Sequence, residues 1–232
     1  SEMCIRDSYI LCFRRINVSK KYISQTKKQS EETIKILIDT YKDAKCGLDY
    51  TSPFYLVVAL ILAAQCTDKR VNEITPLFFK RFPTIEDVKN ASIEDVINII
   101  RPCGFYKNKA HSIIESARIV CDEFNGKVPN TMEDLTKLCG IGRKSANIIL
   151  QECFGKIEGI AVDTHVTRIS RKIGFSNGKT QIQIENELLK RFDKKYWGKI
   201  NHVLVLHGRA ICIANRPKCD ECPISNLCKK ND

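Results

Sequence analysis

Along most of the chain, apolar residues recur at the three- and four-residue intervals of an amphipathic helix. From Glu31 onward this periodicity predicts a succession of short helices, and capping residues mark where several of them begin. Ser52 and Pro53 are such a cap and first-turn residue, and they precede the apolar run 54–64. The helices predicted after that run cover 68–81, 92–100, 108–124, 132–138, 143–154, 163–173, 181–191 and 199–211.

Glycine and proline mark the short connections between these segments, among them Pro83, Pro102 and the pair Gly174 and Gly178. No run of alternating β-branched and polar residues lies between hairpin turns, as the strands of a sheet would require. No segment repeats at the period of a helical solenoid. The sequence therefore predicts an all-α fold.

The first 30 residues lack this periodicity, and their second half is a polar, basic tract. Residues 3–8 also resemble the translation of a sequencing-library adapter. We therefore expect residues 1–30 to be an N-terminal extension that is disordered or partly an artefact, and that does not contribute to the fold.

Composition changes this picture by adding a strong positive charge. The 232 residues include 38 lysines and arginines against 27 aspartates and glutamates, so the formal net charge is +11. Such a charge favours a polyanionic partner, nucleic acid more often than an anionic membrane, although a basic surface also serves solubility. The longest apolar run, 54–64, has eleven residues. A membrane-spanning helix needs about 20, so we expect no transmembrane segment and no membrane partner.

Twelve cysteines would suggest disulfides in a small secreted domain, but the chain is longer and shows no secretory signal. We therefore expect reduced cysteines and an intracellular location, the cytoplasm or nucleoid if the source is prokaryotic. Four of them form a C-x6-C-x2-C-x5-C pattern within 17 residues: Cys212, Cys219, Cys222 and Cys228. Four thiolates this close can enclose one zinc ion or one iron–sulfur cluster. Zinc ribbons usually carry two CxxC pairs, whereas this pattern has one, which favours a structural [4Fe–4S] cluster.

Two groups of residues are candidates for binding phosphates. Arg216 and Lys218 lie between the first two cysteines of the pattern, where a metal-held loop would present them to a phosphate, although solvated surface charges are an equal interpretation. Gly140, Ile141 and Gly142 form a turn between two predicted helices. Such a turn lets backbone N–H groups approach an anion, and a tight packing turn is the alternative.

Arg143 and Lys144 begin the helix that follows this glycine turn. A positive helix end and a neighbouring cation both favour the neutral lysine amine, the form that attacks a sugar carbon. Asp163 stands at the start of a later helix, where it is either an N-cap or a carboxylate that stabilises an oxocarbenium-like sugar. Lys144 and Asp163 are therefore the candidate catalytic residues, with a surface lysine and an N-cap as the alternatives.

Three motifs occur in a fixed order: LCGIGRKSAN, then IAVDTH, then the four-cysteine pattern. In this combination the chain, from about Glu31 to Cys228, resembles the endonuclease III family of bifunctional DNA glycosylases with a helix–hairpin–helix motif. The resemblance implies that Lys144 forms a Schiff base with deoxyribose, that Asp163 assists, and that the four cysteines ligate a [4Fe–4S] cluster. It also places the helix–hairpin–helix at about 132–151.

Two upstream segments are similar to DNA-contacting segments of the same family. LILAAQCTD implies that Gln65 fills the space left by an extruded base, and PCGFYKNKA implies that Phe105 is an apolar wedge. One position departs from the family pattern, because Cys139 replaces the proline of the usual L-P-G-[IV]-G hairpin. Cysteine leaves this turn less preorganised, so we expect somewhat weaker phosphate binding there.

The resemblance implies two helical domains with a DNA cleft between them: a central domain at 46–157, and an iron–sulfur domain built from 31–45 and 158–232. It implies a monomer that removes oxidised pyrimidines from damaged double-stranded DNA and cuts the strand 3′ to the abasic site by β-elimination. A monofunctional adenine or thymine mismatch glycosylase is the nearest alternative, and a non-catalytic iron–sulfur DNA-binding protein is another. The presence of Lys144 together with Asp163 favours the bifunctional enzyme.

Overall fold

The computed structural model describes residues 22–231, and within this range the chain consists of helices, turns and loops without a strand. The predicted all-α fold is confirmed for these residues. They contain eleven α-helices and two short 3₁₀-helices, Arg101–Cys103 and Cys219–Glu221. The α-helices are α1 (Lys27–Thr40), α2 (Pro53–Ala63), α3 (Asp68–Arg81), α4 (Ile85–Lys89), α5 (Ile93–Ile100), α6 (Tyr106–Phe124), α7 (Met132–Leu135), α8 (Arg143–Phe154), α9 (Thr164–Ile173), α10 (Gln181–Arg191) and α11 (Lys194–Ala210).

Side-chain caps determine where many of these helices begin. Ser52, Ser92 and Asp163 each accept a hydrogen bond from the backbone amide three residues later. The bounds of α8 and α10 agree with the prediction. The five-residue helix α4 was not predicted, because it is too short to show a helical period. Helix α11 begins at Lys194, earlier than predicted, because Gly198 interrupts the pattern within it.

The apolar run at 54–62 forms the middle of a first hydrophobic core, whose buried residues lie between Leu48 and Leu150. Eight residues of α2 are buried, so this helix is apolar on every side. A helix of this kind must be surrounded by other elements, and α3, α6 and α8 pack against it. None of the helices between residues 22 and 231 is both long and apolar enough to cross a membrane.

A second hydrophobic core collects residues from both ends of the described chain. Helix α1 contributes Ile34 and Leu37, helices α9, α10 and α11 contribute their apolar faces, and Ile224 follows from the C-terminal loop. Each core lies within one of the predicted domain ranges. We therefore keep 46–157, and 31–45 with 158–232, as the proposed domain boundaries.

Residues 22–30 pack onto this second core region, which differs from the expected N-terminal extension. The Gln25 amide N–H donates to the Gly174 carbonyl oxygen (2.9 Å), and its side chain donates to the Leu227 carbonyl oxygen (2.8 Å). Arg191 Nη1 in turn donates to the Gln25 carbonyl oxygen (2.6 Å), and α1 already begins at Lys27. No local period reveals this segment, because hydrogen bonds to distant backbone groups hold it. Residues 1–21 of the expected extension lie outside the described residues.

The replacement of Gly174 by alanine should destabilise the protein by disturbing this docked segment. Gly174 has φ +100°, and a Cβ there would lie 2.8 Å from the Ile23 carbonyl oxygen. Gly155→Ala is the matched control, because Gly155 also ends a helix with positive φ (+64°) but has open space around it. A left-handed alanine costs about 1 kcal/mol of unfolding free energy, and the clash at Gly174 should add about 1 kcal/mol or more. Urea unfolding measures both losses, and equal losses would contradict the docking.

Candidate active site

A cavity of about 120 Å³ lies between the two cores and is lined by α2, α8, α11 and the loop at 45–48. Lys144 reaches this cavity from α8, and Asp163 reaches it from the segment before α9. Asp68 and Arg209 also line it, and their ion pair (2.9 Å) joins α3 to α11. The two predicted catalytic residues therefore line the same cavity.

The glycine turn before α8 has the geometry of an anion site. Gly140 has φ +81°, a left-handed conformation that glycine adopts at little cost, and a Cβ there would lie 3.3 Å from Ser112 Cβ. Gly142 is the N-cap of α8, and no side chain caps this helix. Its first amide N–H groups and the helix dipole therefore favour an anion. Lys144, the second residue of α8, lies half-buried beside them.

The cysteine that replaces the usual hairpin proline is held from outside the turn. Ser116 Oγ, on α6, donates to the Cys139 carbonyl oxygen (3.0 Å). Burial raises the pKa of the Cys139 thiol, so this side chain stays neutral. This hydrogen bond from α6 thus restrains the backbone of the turn, as a proline ring would do in part. Weaker phosphate binding at this turn stays a prediction.

Asp163 is the N-cap of α9, as one of its two interpretations required. Its Oδ1 accepts the Val166 amide N–H at 2.8 Å, which fixes the carboxylate relative to the helix. This bond uses one oxygen and leaves Oδ2 for a second partner. Capping and a role in the cavity are therefore compatible in this residue.

Gln65 and Phe105 both have left-handed backbone conformations, with φ values of 53° and 46°. Neither is glycine, so the surrounding structure must hold each against strain, a common property of functional sites. Both side chains are exposed, and Phe105 keeps 65% of its surface in solvent, which makes the ring available as a wedge. Their two loops touch at the Cys66 and Cys103 thiols, and burial together with the Cys66 thiol raises the pKa of Cys103 to about 11.

The four cysteines of the C-terminal pattern line one small apolar cavity. They are Cys212, Cys219, Cys222 and Cys228, and all four are free thiols. Within residues 22–231, no three His, Cys, Asp or Glu side chains lie close enough together to hold a single metal ion. The four cysteines nevertheless line the same cavity.

The environment of these sulfurs fits thiolates bound to a metal centre. Arg168 Nη1 donates to Cys212 Sγ (3.7 Å), and the Lys230 amide donates to Cys228 Sγ (3.4 Å). Burial raises the pKa of Cys222 and of Cys228, and the neighbouring sulfurs raise both further. Four thiolates in an apolar cavity repel one another, so their ionised form requires a cation between them. An iron–sulfur cluster satisfies this requirement, and N–H groups aimed at the sulfurs stabilise it.

Residues 58–194 match the HhH-GPD superfamily of base excision DNA repair proteins. The chain is 39% identical to endonuclease III of Synechocystis sp. over 206 residues, which cover 89% of this chain and 94% of that protein. It is 37% identical to endonuclease III of Bacillus subtilis, with 88% and 93% covered. The solved structure of a trapped endonuclease III–DNA covalent intermediate, an estranged-adenine complex, superposes with a TM-score of 0.84 at 36% identity, over 88% of this chain and 96% of that one.

The chain belongs to the endonuclease III family. Sequence similarity over most of its length and the similarity of the whole fold agree on this. The predictions of this family and of a bifunctional base-excision-repair glycosylase and lyase are thereby confirmed. A thermostable thymine-DNA glycosylase has a TM-score of 0.77 at 20% identity, a likeness of fold alone.

In this endonuclease III family member, a buried carboxylate that no motif indicated holds two parts of the site together. Glu185 on α10 is 3% exposed and accepts hydrogen bonds from Arg143 Nε (2.6 Å) and Nη2 (3.3 Å). It also accepts from Asn147 Nδ2 (2.9 Å) and from the Ile160 amide (3.3 Å). Helix α8 and the segment that leads into α9 therefore share one acceptor. The available signal was an acidic residue next to Ile184 on the apolar face of α10.

In the same region, the surroundings of Arg143 and Ile141 limit how much these two predicted DNA-binding residues can contribute to phosphate binding. The hydrogen bond to Glu185 raises the pKa of the Arg143 guanidinium and balances its charge, so Arg143 adds little net positive charge beside Lys144. The Ile141 side chain is buried, and its N–H donates to the Leu138 carbonyl oxygen (3.1 Å). The side chain and the amide N–H of Ile141 are therefore not free to bind a phosphate in this conformation. Direct DNA contacts of both residues stay a prediction.

Arg216 and Lys218 are exposed on the loop between the first two cysteines of the pattern. The Lys218 amide donates to the Ile211 carbonyl oxygen (2.9 Å), which fixes the base of the loop. Lys218 Nζ also lies 3.7 Å from Glu221 Oε2, an exposed pair that is worth little energy. Both cations therefore face solvent, and their contact with DNA stays a prediction.

A second polar network borders the cavity. Tyr50 Oη donates to Glu152 Oε2 (3.1 Å), and His202 Nε2 lies 3.2 Å from Glu152 Oε1. The His202 contact lowers the pKa of Glu152, whereas burial and the Glu152 carboxylate raise the pKa of Tyr50. His202 lines the cavity, so this network braces its wall between α8 and α11. The sequence offered no signal for it, because these partners lie 50 and 102 residues apart.

Glu185→Gln should lower the free energy of unfolding by about 1–3 kcal/mol, because glutamine has one acceptor oxygen in place of two and leaves a buried N–H unpaired. Urea unfolding measures the change. Glu187→Gln is the matched control on the same helix, since Glu187 is exposed and accepts the Asn177 amide N–H (2.9 Å), a bond that a glutamine oxygen can keep. If both variants lose the same small amount, the Glu185 carboxylate does not hold α8 against α10.

Proposed function

We propose that this endonuclease III family member removes oxidised pyrimidines from damaged double-stranded DNA and then cuts the strand 3′ to the resulting abasic site. The observation that carries this proposal is that Lys144 and Asp163, from different parts of the chain, line one cavity between the two cores. An amine nucleophile and a carboxylate beside it are the groups that Schiff-base chemistry on a sugar requires. A non-catalytic DNA-binding protein has no use for this pair.

The reaction begins when the damaged nucleotide is extruded from the duplex into the cavity. Lys144 Nζ attacks the sugar C1′, the glycosidic C–N bond breaks, and the base leaves with the bonding electrons and takes up a proton. Asp163 offsets the positive charge that develops on the sugar. The ring then opens at the C1′–O4′ bond, and a protonated imine joins C1′ to Nζ.

Strand cleavage follows from the imine, which makes the C2′ proton acidic. When this proton leaves, its electron pair forms the C2′–C3′ double bond and the C3′–O bond breaks. The phosphate on the 3′ side departs with the electron pair of the broken C3′–O bond, so the strand is cut by β-elimination. Water finally hydrolyses the imine and restores the free amine of Lys144.

DNA is held and distorted by residues on three loops. The exposed Phe105 ring enters the base stack beside the lesion, and Gln65 occupies the space left by the extruded base. These insertions offset the unstacking, which costs a few kcal/mol per base step. The uncapped N-terminus of α8, after Gly140 and Gly142, binds a backbone phosphate without reading sequence.

The four cysteines of the C-terminal pattern hold a [4Fe–4S] cluster. The C-x6-C-x2-C-x5-C spacing, with one CxxC pair where zinc ribbons usually have two, supports the cluster over zinc, and the four cysteines line one cavity. A cluster with four protein ligands leaves no iron open to substrate, so it supplies structure rather than reaction chemistry. Arg216 and Lys218, on the loop that these ligands fix, contact DNA phosphates.

The substrate places the protein where chromosomal DNA is, inside the cell, and in a prokaryote in the cytoplasm or nucleoid. One chain supplies both catalytic groups and both residues that enter the duplex. A monomer is therefore sufficient for the reaction, and damaged DNA is the partner that the proposal requires.

Borohydride trapping tests the lysine chemistry. We expect a covalent adduct with duplex DNA that carries one thymine glycol, and we expect Lys144→Ala to reduce adduct formation about a thousandfold or more, because the nucleophile is gone. Lys127→Ala is the matched control, since Lys127 is an exposed lysine outside the cavity. Duplex binding, measured by fluorescence anisotropy, should change little in either variant.

Three results would contradict parts of this proposal. A Lys144→Ala protein that still nicks an abasic duplex at the normal rate would refute the assignment of the nucleophile. An adduct on an abasic duplex alone would keep the lyase and overturn the oxidised-pyrimidine substrate. Base release without any adduct would instead support a monofunctional glycosylase.

Metal analysis tests the cluster. Protein purified without oxygen should contain about four iron and four acid-labile sulfide per chain, as the cluster formula requires. Cys222→Ser should lose most of both, because one ligand is replaced. Cys121→Ser should retain them, since Cys121 is a free cysteine on α6, outside the pattern. One zinc per chain and no sulfide would overturn the cluster.

A further inference from the structure

Lys109 is a buried lysine. Within residues 22–231, its ammonium makes hydrogen bonds to backbone carbonyls and none to an acidic side chain. It lies near the start of α6 and is 5% exposed. Its Nζ donates to the Leu62 carbonyl oxygen at 2.8 Å and to the Cys103 carbonyl oxygen at 2.9 Å. A buried ammonium is expensive unless it is hydrogen-bonded, so these two carbonyls account for its place in the structure.

The two carbonyls belong to the ends of the elements that precede the loops of Gln65 and Phe105. Leu62 is in the last turn of α2, just before Gln65, and Cys103 ends the 3₁₀-helix just before Phe105. Carbonyl groups at a helix C-terminus lack helical partners and carry the negative end of the dipole. The Lys109 ammonium therefore pairs with one carbonyl at the end of each helix and connects the two helix ends.

Both loops need such a restraint. Gln65 and Phe105 adopt left-handed backbone conformations that are unfavourable for residues with a Cβ, and such conformations persist only where the surroundings hold them. Burial lowers the pKa of Lys109, so a charged group is kept here at a cost that an apolar side chain would avoid. The donor groups of Lys109, rather than its volume, are therefore what this position uses.

We infer that Lys109 is a positioning residue for DNA distortion, which ties the Gln65 and Phe105 loops to one buried ammonium so that both side chains enter the duplex at a set separation. The inference deepens the proposed function and rests on it. Lys109 touches neither the sugar nor the base. It acts through the two loops, and its removal should impair extrusion of the lesion without impairing the chemistry at Lys144.

Two substrates separate these effects. Single-turnover base removal from a thymine glycol duplex requires insertion of the Phe105 wedge. It also requires Gln65 to fill the space that the extruded base leaves in the duplex. Cleavage at an abasic site that faces a gap in the complementary strand requires neither, because no base pair is present to open. In Lys109→Met we expect the first rate to fall about tenfold or more, since two buried carbonyls lose their donor, and the second to change less than about twofold. Lys80→Met, on an exposed lysine of α3, is the control and should change neither rate.

A variant of the wedge provides a second readout. Phe105→Ala removes the side chain that Lys109 is inferred to position, so the loss caused by Lys109→Met should shrink markedly in a Phe105→Ala background. Lys109→Arg retains a cation with several donors and should recover part of the duplex rate. If Lys109→Met does not fold, Lys109→Gln replaces it, because its amide can still donate to one of the two carbonyls.

Equal losses on the two substrates would show a general structural role and overturn the inference. So would an unchanged duplex rate in Lys109→Met, or losses that simply add in the double variant. A wild-type protein that acts on neither substrate would overturn the proposed function instead, and the wild-type rates on the two substrates identify that case.

Discussion

The arrangement of the active site depends on one buried carboxylate, that of Glu185. Arg143 and Asn147 from α8 and the Ile160 amide from the segment before α9 all donate to it. A buried carboxylate is tolerated only where hydrogen bonds replace water, so each donor supports the presence of the others. Because these donors come from different elements, the carboxylate on α10 fixes α8 relative to the segment that ends at Asp163. It thereby shapes the cavity that the candidate catalytic residues line.

The ends of helices carry most of the proposed chemistry. Asp163 caps α9, and the candidate nucleophile Lys144 lies in the first turn of α8. Among the α-helices of residues 22–231, three begin without a hydrogen bond from a capping side chain, and two of these, α6 and α8, begin at residues proposed to touch DNA. Unsatisfied amide groups at these ends give the protein places where phosphates can complete its hydrogen bonding. At α8, this open helix end is the one proposed to bind a backbone phosphate.

Local patterns were enough to predict those parts of the site whose determinants lie close together in sequence. The turn at Gly140 and Gly142 lies directly before α8, and the cap of Asp163 reaches only the amide three residues on. Of the partners of Glu185 and Lys109, only Cys103 is close in sequence, six residues from Lys109. The others lie 25 to 47 residues away. No window of the sequence contains both members of such a pair, so neither residue stood out before the helices were packed.

The sequence by itself determined most of the helical segments, where most of them begin, and which cysteines can share a metal centre. Periodicity, caps and ligand spacing act within a few residues. Only the tertiary structure decided that Phe105 stands exposed, that Arg143 is paired with a buried carboxylate, and that residues 22–30 pack against the second core. Those outcomes depend on burial and on hydrogen bonds between groups that come together only when distant helices pack. Burial is a property of the assembled fold, and no single segment of the chain specifies it.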